Sequence, residues 1–252
     1  MSIKWQALTV SRNSSMQRLI EYFDRAYLIN LPDRTDRLRS AKREFAKIGV
    51  EFPSDRVRLH YGERPSERRG VYAIGARGSF CSHRSVLREA EKQRLKNVLV
   101  FEDDVFFRPP AEGEVDRILS ALSEVEWDIV YFGYLSPSDR GLSGPLFKDP
   151  PLTIGGHFYA VNGPFISRMR EYMDQCEMRP VGHPDGGPMG RDGAYNHIRL
   201  ISPDIRVYLA VPNLARQKSS RSDIADLRLW DRLTFIRPAV SFARIIKNKL
   251  LY

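Results

Sequence analysis

The sequence is poor in cysteine and has no long apolar run, and each absence excludes a class of protein. Cys81 and Cys176 are the two cysteines among 252 residues, too few for a disulfide framework and without the CxxC spacing of a structural zinc site. We interpret both as reduced thiols packed in the core. No segment has the roughly 18 consecutive apolar residues that a membrane-spanning helix needs. The first residues lack the apolar block of a secretory signal, so we expect a cytoplasmic location.

The composition is biased towards positive charge. Lysine and arginine together number 40, against 31 aspartates and glutamates, which gives a net charge of +9. Such an excess attracts polyanions, whether nucleic acid, anionic lipid, phosphorylated glycans or sugar donors, and does not choose among them. The sequence has no zinc finger, RNP-type aromatic motif or long basic run. We therefore do not expect a dedicated nucleic-acid-binding protein.

Short apolar segments alternate with segments of helical periodicity, which is typical of an α/β fold. The predicted strands are residues 25–31, 97–101, 127–132, 157–161 and 206–211, and residues 55–77 and 136–154 are predicted to be loops. This order predicts a single, Rossmann-like, mostly parallel sheet flanked by helices. The chain then divides into a peripheral N-terminal segment, 1–23, an α/β domain, 24–229, and a C-terminal tail, 230–252.

Three acidic residues stand where the second predicted strand ends. Glu102, Asp103 and Asp104 lie between the apolar segments 98–101 and 105–107. Carboxylates are costly to bury unless they are paired or bound to metal, and three in succession repel one another. Such oxygen ligands suit Mg²⁺ or Mn²⁺ bound by one or two carboxylates and by substrate phosphates, at the strand ends where α/β sheets bind ligands. We expect Asp104 to bind the metal and Glu102 to lie beside it; the alternative is a turn with solvated acids.

Three segments, taken in order, resemble motifs of glycosyltransferase family 25. The first is YLINLPDRTDR at residues 27–37. The second is GSFCSH at 78–83, followed by VLVFEDDV at 98–105. The third is PNLARQ at 212–217, followed by Ser222-Asp223-Ile224. The family includes lipopolysaccharide-type galactosyltransferases of bacteria and collagen galactosyltransferases, and the matches span most of the chain.

This resemblance implies a GT-A fold, a nucleotide-sugar donor and inversion at the anomeric carbon. The acidic run 102–104 would replace the Asp-x-Asp motif, with Glu102 in place of the first aspartate. We therefore expect transfer of a hexose, galactose by analogy, from a UDP-sugar to a glycan or lipid-linked glycan, with Mn²⁺ or Mg²⁺, as in lipopolysaccharide biosynthesis. The segment 133–192 matches poorly, so the acceptor stays open.

The donor-binding candidates share a position at a predicted strand end or in one of the three motifs. They are Asn30, Arg34, Arg37, Ser82, His83, Glu102, Asp103 and Gln217. Five of them have a structural alternative: Arg34 and Arg37 as solvated side chains, Asn30 and Ser82 as caps, and His83 as a packed histidine. Gln217 lies in a loop that could close over the donor.

Inversion also needs a base that accepts the proton of the acceptor hydroxyl. Asp192, in the segment GRDGAY, is the first choice, and Asp185, in HPDGG, is the second. The alternative role for Asp192 is to cap the helix that follows it. His157 and His183 are further candidate metal ligands.

The tail 230–252 predicts a basic amphipathic helix. Apolar residues at 236, 240, 243, 246 and 250 are interleaved with arginines and lysines. Such a helix can lie on an anionic membrane surface, which would place the protein at the inner face of the membrane, or it can pack on the domain. Two other functions remain open at this point: a metal-dependent phosphoryl-transfer enzyme, and a non-catalytic protein that binds polyanions or membrane surfaces on a GT-A scaffold.

Overall fold

A computed structural model describes residues 15–218 as a mixed β-sheet covered by helices on both faces. In chain order the elements are α1 (Ser15–Glu21), β1 (Arg25–Asn30), α2 (Thr35–Lys47), β2 (Val57–Tyr61), α3 (Ile74–Lys92), β3 (Asn97–Glu102), β4 (Val105–Phe107), α4 (Glu114–Ser123), β5 (Ile129–Gly133), β6 (Leu146–Lys148), β7 (Phe158–Asn162), α5 (Gly163–Met178), α6 (Arg191–Ile201), β8 (Val207–Ala210) and β9 (Ala215–Gln217). The predicted α/β class is confirmed.

The sheet has the strand order β2-β1-β3-β7-β5-β8-β6, with β4 and β9 paired beside it. Strands β2, β1, β3, β5 and β8 run in one direction, whereas β7 and β6 run against their neighbours. The sheet is therefore mostly parallel, as predicted, but β7 separates its two parallel parts. Strand β9 pairs antiparallel with β4 and also touches β5.

Strand β3 shows why the central strands are continuous apolar runs. Leu99 and Phe101 pack into the core formed with α1, α2 and α4, whereas Val98 and Val100 pack into the core formed with α3, α5 and α6. Alternate side chains of a strand point to opposite faces, and both faces of this sheet are covered. The first residues able to meet solvent or a ligand are therefore those at the strand end, beginning with Glu102.

The N-terminal boundary differs from the prediction. Residues 15–23 are not peripheral, because Met16, Leu19, Ile20 and Phe23 are fully buried in the core. These four positions have the spacing of one helical face. The polar residues between them hide this short amphipathic helix in the sequence, and the expectation of a peripheral segment is wrong for this part of 1–23.

The region 55–77, predicted as a loop, contains β2 and the start of α3. Strand β2 pairs parallel with β1 at the edge of the sheet, where polar Arg58 and His60 are tolerated. Helix α3 begins at Ile74, so Gly78 lies inside it, where an added Cβ would be 2.7 Å from the carbonyl oxygen of Glu63. Glycine at this position permits the close approach of the loop that follows β2.

The predicted tail helix, 230–252, and Ser222 lie outside the described residues. Among residues 15–218, no helix combines the length and apolar character needed to cross a bilayer.

Candidate active site

The acidic run lies where two parallel strands end side by side. Glu102 is the last residue of β3, in register with Ile29 of β1, and Asp103 and Asp104 form the turn into β4. Because the carboxyl ends of β1 and β3 meet here, residues that follow β1 reach the acids directly. This is the edge at which ligands bind in open α/β sheets.

Asp103 is held by two residues of the first motif. Asn30 donates a hydrogen bond from Nδ2 to Oδ2 of Asp103 at 2.7 Å, and Arg37 donates from Nη1 to Oδ1 at 2.8 Å. Burial raises the pKa of Asp103 despite the opposing charge of Arg37. Asn30 is fully buried and its Nδ2 also donates to the carbonyl of Arg34, so this side chain orients an acid of the site.

Asp104 has one satisfied and one unsatisfied carboxylate oxygen. Oδ2 accepts a hydrogen bond from Nε2 of Gln217 at 2.9 Å and lies 3.6 Å from Nη1 of Arg37. Oδ1 is buried and has no hydrogen-bond partner. Burial and the nearby charge of Glu102 raise the pKa of Asp104 to about 7. A cation at this position would coordinate the unpartnered Oδ1 of Asp104. It would also offset the nearby negative charge that raises the pKa of Asp104.

Protein side chains alone do not form a complete metal site here. Within residues 15–218 there is no group of three or more His, Cys, Asp and Glu side chains arranged to hold a metal ion. Magnesium and manganese sites that use one or two carboxylates are completed by water and substrate phosphates. The residues fit a cation of that kind, and do not fit a closed structural site.

Glu102 is held between a histidine and an arginine. Its Oε1 lies 3.2 Å from Nε2 of His83 and 3.2 Å from Nη2 of Arg191. Burial raises the pKa of Glu102, but the hydrogen bond with His83 and the charge of Arg191 outweigh it and lower the pKa to about 2. Burial lowers the pKa of His83 despite its contact with Glu102, so the imidazole is neutral at neutral pH.

The charge states assign the tautomer of His83. An ionised Glu102 only accepts hydrogen bonds, so Nε2 of the neutral imidazole carries the proton. Nδ1 then accepts from the hydroxyl of Tyr159, which lies 2.6 Å away and is itself 3.0 Å from the hydroxyl of Tyr195. His83 thus connects Glu102 to a buried tyrosine pair.

Arg191, which sequence reasoning did not single out, is the first residue of α6. It is 5% exposed, and its Nη1 lies 2.8 Å from Oδ1 of Asp192. Burial lowers the pKa of Arg191, but the charges of Asp192 and Glu102 outweigh that effect and raise it, so the guanidinium stays charged. The position of Arg191 beside a candidate base at a helix start could have identified it as a site residue. Its partner Glu102, however, is 89 residues away in the sequence.

Asp192 does not cap the helix that follows it. The N-cap of α6 is Gly190, and no side chain provides a capping hydrogen bond. Oδ2 of Asp192 instead accepts from the backbone amide of Gly155 at 3.0 Å, and its side chain is 34% exposed. The carboxylate is thus partly accessible, which a base that receives a proton from a bound hydroxyl requires.

Two cavities meet at Glu102. The smaller, of about 330 Å³, lies between the end of β1 and the start of α3, and Arg37, Arg64, Arg68, His83 and Asp103 are among its lining residues. The larger, of about 890 Å³, is lined by Arg191, Asp192, Asn196 and Gln217, among others. Glu102 and Ser79 line both cavities.

The remaining predicted residues have different positions. Ser82 lines the smaller cavity, where it accepts from the amide of Glu63 at 2.8 Å and donates to the carbonyl of Gly78 at 2.7 Å, and so holds the loop after β2 in place. Arg34 pairs with Asp36 on the first turn of α2 and lines neither of the two cavities.

The second choice for the base is not brought to the site. Asp185 is 63% exposed and lines neither cavity, and Arg179 donates a hydrogen bond to its backbone carbonyl. His183 lies beside Asp185, and His157 is buried with Nδ1 against the carbonyl of Gly155. Arg64 and Arg68, by contrast, lie in the region predicted as a loop and were missed, although they line the smaller cavity.

About half of the chain is similar in sequence to proteins named as members of glycosyltransferase family 25. No family model matches the sequence. A Drosophila melanogaster protein named glycosyltransferase 25 family member is 33% identical over 128 residues, which cover 44% of this chain and 21% of that protein. The human inactive glycosyltransferase 25 family member 3 is 30% identical over 157 residues, with 54% and 26% covered. Procollagen galactosyltransferase 1-A of Xenopus laevis is 26% identical over 131 residues, with 44% and 21% covered.

A solved structure of a glycosyltransferase involved in glycosylation of the major capsid of PBCV-1 has a TM-score of 0.47 and 13% identity, covering 77% of this chain and 93% of that chain. This likeness is too distant to support an argument. The chain spans 21% to 26% of the length of the three relatives described above. Over about half of its length, the chain is therefore similar in sequence to members of glycosyltransferase family 25, in agreement with the resemblance of its motifs.

Proposed function

We propose that this protein transfers a hexose from a nucleoside-diphosphate sugar to a glycan acceptor. The observation that supports this function is the position of Glu102 at the junction of two cavities. Transfer needs two substrates whose reacting atoms meet, and two adjoining cavities with a shared charged residue provide that arrangement.

The smaller cavity is the proposed donor site. Arg37, Arg64 and Arg68 supply positive charge for a diphosphate, and the apolar side chains of Ile29 and Leu31 offer a surface for a base or ribose. We propose a UDP-sugar, and galactose as the hexose, on the basis of the family resemblance. The Xenopus relative, by its name, transfers galactose to procollagen.

Mn²⁺ or Mg²⁺ is the proposed cofactor, held by Asp104 with Glu102 beside it. The support is the unpartnered Oδ1 of Asp104 and the excess of three carboxylates over the two arginines, Arg37 and Arg191, that pair with them. When bound, the cation would offset the charge that develops on the departing diphosphate. Gln217 and Arg37 keep Asp104 in place for this role.

Asp192 is the proposed base. The acceptor hydroxyl would give its proton to the carboxylate of Asp192 while its oxygen bonds to the anomeric carbon. The bond from that carbon to the diphosphate oxygen breaks at the same time, with inversion. Arg191 and the amide of Gly155 fix the carboxylate, and its partial exposure leaves it accessible from the larger cavity.

The larger cavity is the proposed acceptor site. Its polar floor is formed by Arg191, Asp192 and Asn196, and its rim has exposed apolar side chains from three parts of the chain: Tyr72, Leu135, Leu152, Ile154 and Leu200. A polar floor with an apolar rim suits a sugar joined to a lipid, such as a precursor of lipopolysaccharide. An acceptor of this kind would place the protein at the inner face of the membrane.

A non-catalytic role is the second candidate, because the human relative is named inactive. In that case the two cavities would bind a nucleotide sugar or a glycan without reaction. The phosphoryl-transfer alternative has no such support, since two-metal sites draw ligands from several strands and here the acids gather at the end of one.

Hydrolysis of UDP-sugars tests the proposal without knowledge of the acceptor. The purified protein is incubated with a panel of UDP-hexoses and Mn²⁺, and released UDP is measured. We expect one UDP-hexose to be hydrolysed faster than the others. The non-catalytic candidate would be supported instead if the protein bound UDP but neither hydrolysed any UDP-hexose nor transferred a hexose from one to an alkyl glycoside.

A further inference from the structure

Arg191 lines the larger cavity and pairs with Glu102, which lines both cavities, and the function proposed above gives it no role beyond fixing Asp192. We propose that Arg191 is a positioning residue that couples the donor site to the acceptor site by holding Glu102 and Asp192 with one guanidinium group. This inference rests on the proposed function, because it assigns the two acids to the donor and acceptor sides of one reaction.

The geometry uses both arms of the guanidinium. Nη2 of Arg191 lies 3.2 Å from Oε1 of Glu102, and Nη1 lies 2.8 Å from Oδ1 of Asp192. The contact with Glu102 is a hydrogen bond, whereas the contact with Asp192 is an ion pair, because Oδ1 of Asp192 accepts no hydrogen bond from the described residues. The two arms of one guanidinium reach both acids at once, which the point charge of a lysine does not. If either acid moves, the guanidinium of Arg191 moves with it, and the electrostatic environment of the other acid changes.

The surroundings of Arg191 restrict its side chain to this position. The guanidinium carbon lies 5.7 Å from the ring centroid of Tyr159 and 5.9 Å from that of Tyr195, within the range of a cation–π contact. On another side is Gly156, where an added Cβ would lie 2.7 Å from Nη1 of Arg191. The absence of a side chain at Gly156 thus makes room for the guanidinium.

The charges make this bridge costly to break. Arg191 is 5% exposed, so loss of one anionic partner leaves a buried cation only half compensated. A substrate that draws Asp192 away from Arg191 strengthens the pairing of Arg191 with Glu102. A substrate that draws Glu102 away strengthens the pairing with Asp192. Two sites joined in this way influence each other's affinity, which is what coupling means in binding terms.

The test compares Arg191→Ala, Arg191→Lys and Arg170→Ala. Arg170 is the matched control because it pairs with Glu91 through two hydrogen bonds, of 2.8 and 3.0 Å, and lines neither cavity. The assay is hydrolysis of the UDP-hexose that the unmodified protein prefers, with and without millimolar guanidinium, and thermal unfolding checks that each variant is folded.

We expect Arg191→Ala to lower kcat about 100-fold with a smaller change in KM, the loss typical of a misplaced catalytic group. Guanidinium should restore much of the lost rate in this variant, since it refills the space between the two acids. Arg191→Lys should stay slow, and Arg170→Ala should keep the rate of the unmodified protein with or without guanidinium.

An unchanged rate in folded Arg191→Ala would overturn the inference, and so would a rate that guanidinium does not raise. If Arg191→Ala does not fold, Arg191→Lys decides alone: a rate equal to that of the unmodified protein would overturn the inference. No hydrolysis by the unmodified protein would overturn the proposed function itself, and the inference with it.

Discussion

Gln217 donates a hydrogen bond from Nε2 to Oδ2 of Asp104 at 2.9 Å, which joins the third sequence motif to the acidic run. The pairing of β9 with β4 brings them together, with Gln217 opposite Val105. The next residue strengthens the connection: the amide of Lys218 donates to the carbonyl of Asp104 at 2.8 Å. Segments 113 residues apart in sequence therefore form one site, which explains in physical terms why the two motifs occur together.

The raised pKa of Asp104 predicts a stability that falls with increasing pH when no metal is bound. An aspartate has a pKa of about 3.9 in an unfolded chain, whereas Asp104 has a pKa of about 7 in the folded protein. The folded state thus binds the proton more tightly, so the contribution of Asp104 is fully present below about pH 4 and is lost as the pH rises through about 7. One proton gives a slope of at most about 1.4 kcal/mol per pH unit.

Urea unfolding of the protein and of Asp104→Asn, both with a chelator present, isolates this contribution. The asparagine keeps an oxygen for Gln217 but does not titrate. We expect the protein to lose stability relative to Asp104→Asn between about pH 4 and about pH 7. A difference between the two proteins that does not vary with pH would show that Asp104 has an ordinary pKa.

Removal of the charge of Glu102 should destabilise the fold more than removal of an exposed charge. Glu102→Gln leaves Arg191 with Asp192 as its remaining anionic partner among the described residues, and loss of one partner of a buried pair should cost roughly 3–5 kcal/mol. Glu126→Gln is the control, because Glu126 pairs with Arg206 and is 86% exposed. Its stability should be nearly unchanged. Thermal unfolding at neutral pH measures both variants, and equal shifts would argue against a buried bridge at Glu102.

The segment 15–23, at the start of the described residues, should be essential to the core. Phe23 is fully buried, with its ring centroid 5.8 Å from that of Phe132 and 6.1 Å from that of Trp127. Phe23→Ala should therefore lower the free energy of unfolding by about 3–5 kcal/mol. The neighbouring Tyr22 is 38% exposed, so Tyr22→Ala should cost less than about 1.5 kcal/mol. Urea unfolding compares them, and a mild effect at Phe23 would mean that the N-terminal segment is peripheral after all.

The sequence predicted those parts of the site that depend on where a strand ends. A run of apolar residues that stops at Glu102 indicates the end of a buried strand, and this local pattern is enough to locate the acids. It does not show that Asp103 and Asp104 are themselves buried. Arg37, His83 and Gln217 were found through motifs that resemble a known family. The structure brings all three to the acidic run, where Arg37 meets Asp103, His83 meets Glu102 and Gln217 meets Asp104.

The sequence did not predict contacts between residues that are far apart in the chain. Periodicity indicates that Asn30 is buried but not that its amide binds Asp103, and nothing local connects Arg191 to Glu102. Asp185 and Asp192 both lie in Gly-rich segments, so the sequence alone does not distinguish them as candidate bases. The start of α6 at Arg191 distinguishes them, because the helix fixes Asp192 at the cavity while Asp185 stays in an exposed loop.

Calorimetric titration with UDP tests the central claim, that a divalent cation at Asp104 holds the diphosphate of the donor. The unmodified protein and Asp104→Asn are each titrated with and without Mn²⁺. We expect UDP to bind the unmodified protein at least about tenfold more tightly with Mn²⁺ than without it, and Asp104→Asn to show no such gain. Equal affinity of the unmodified protein for UDP in the presence and absence of Mn²⁺ would contradict the claim.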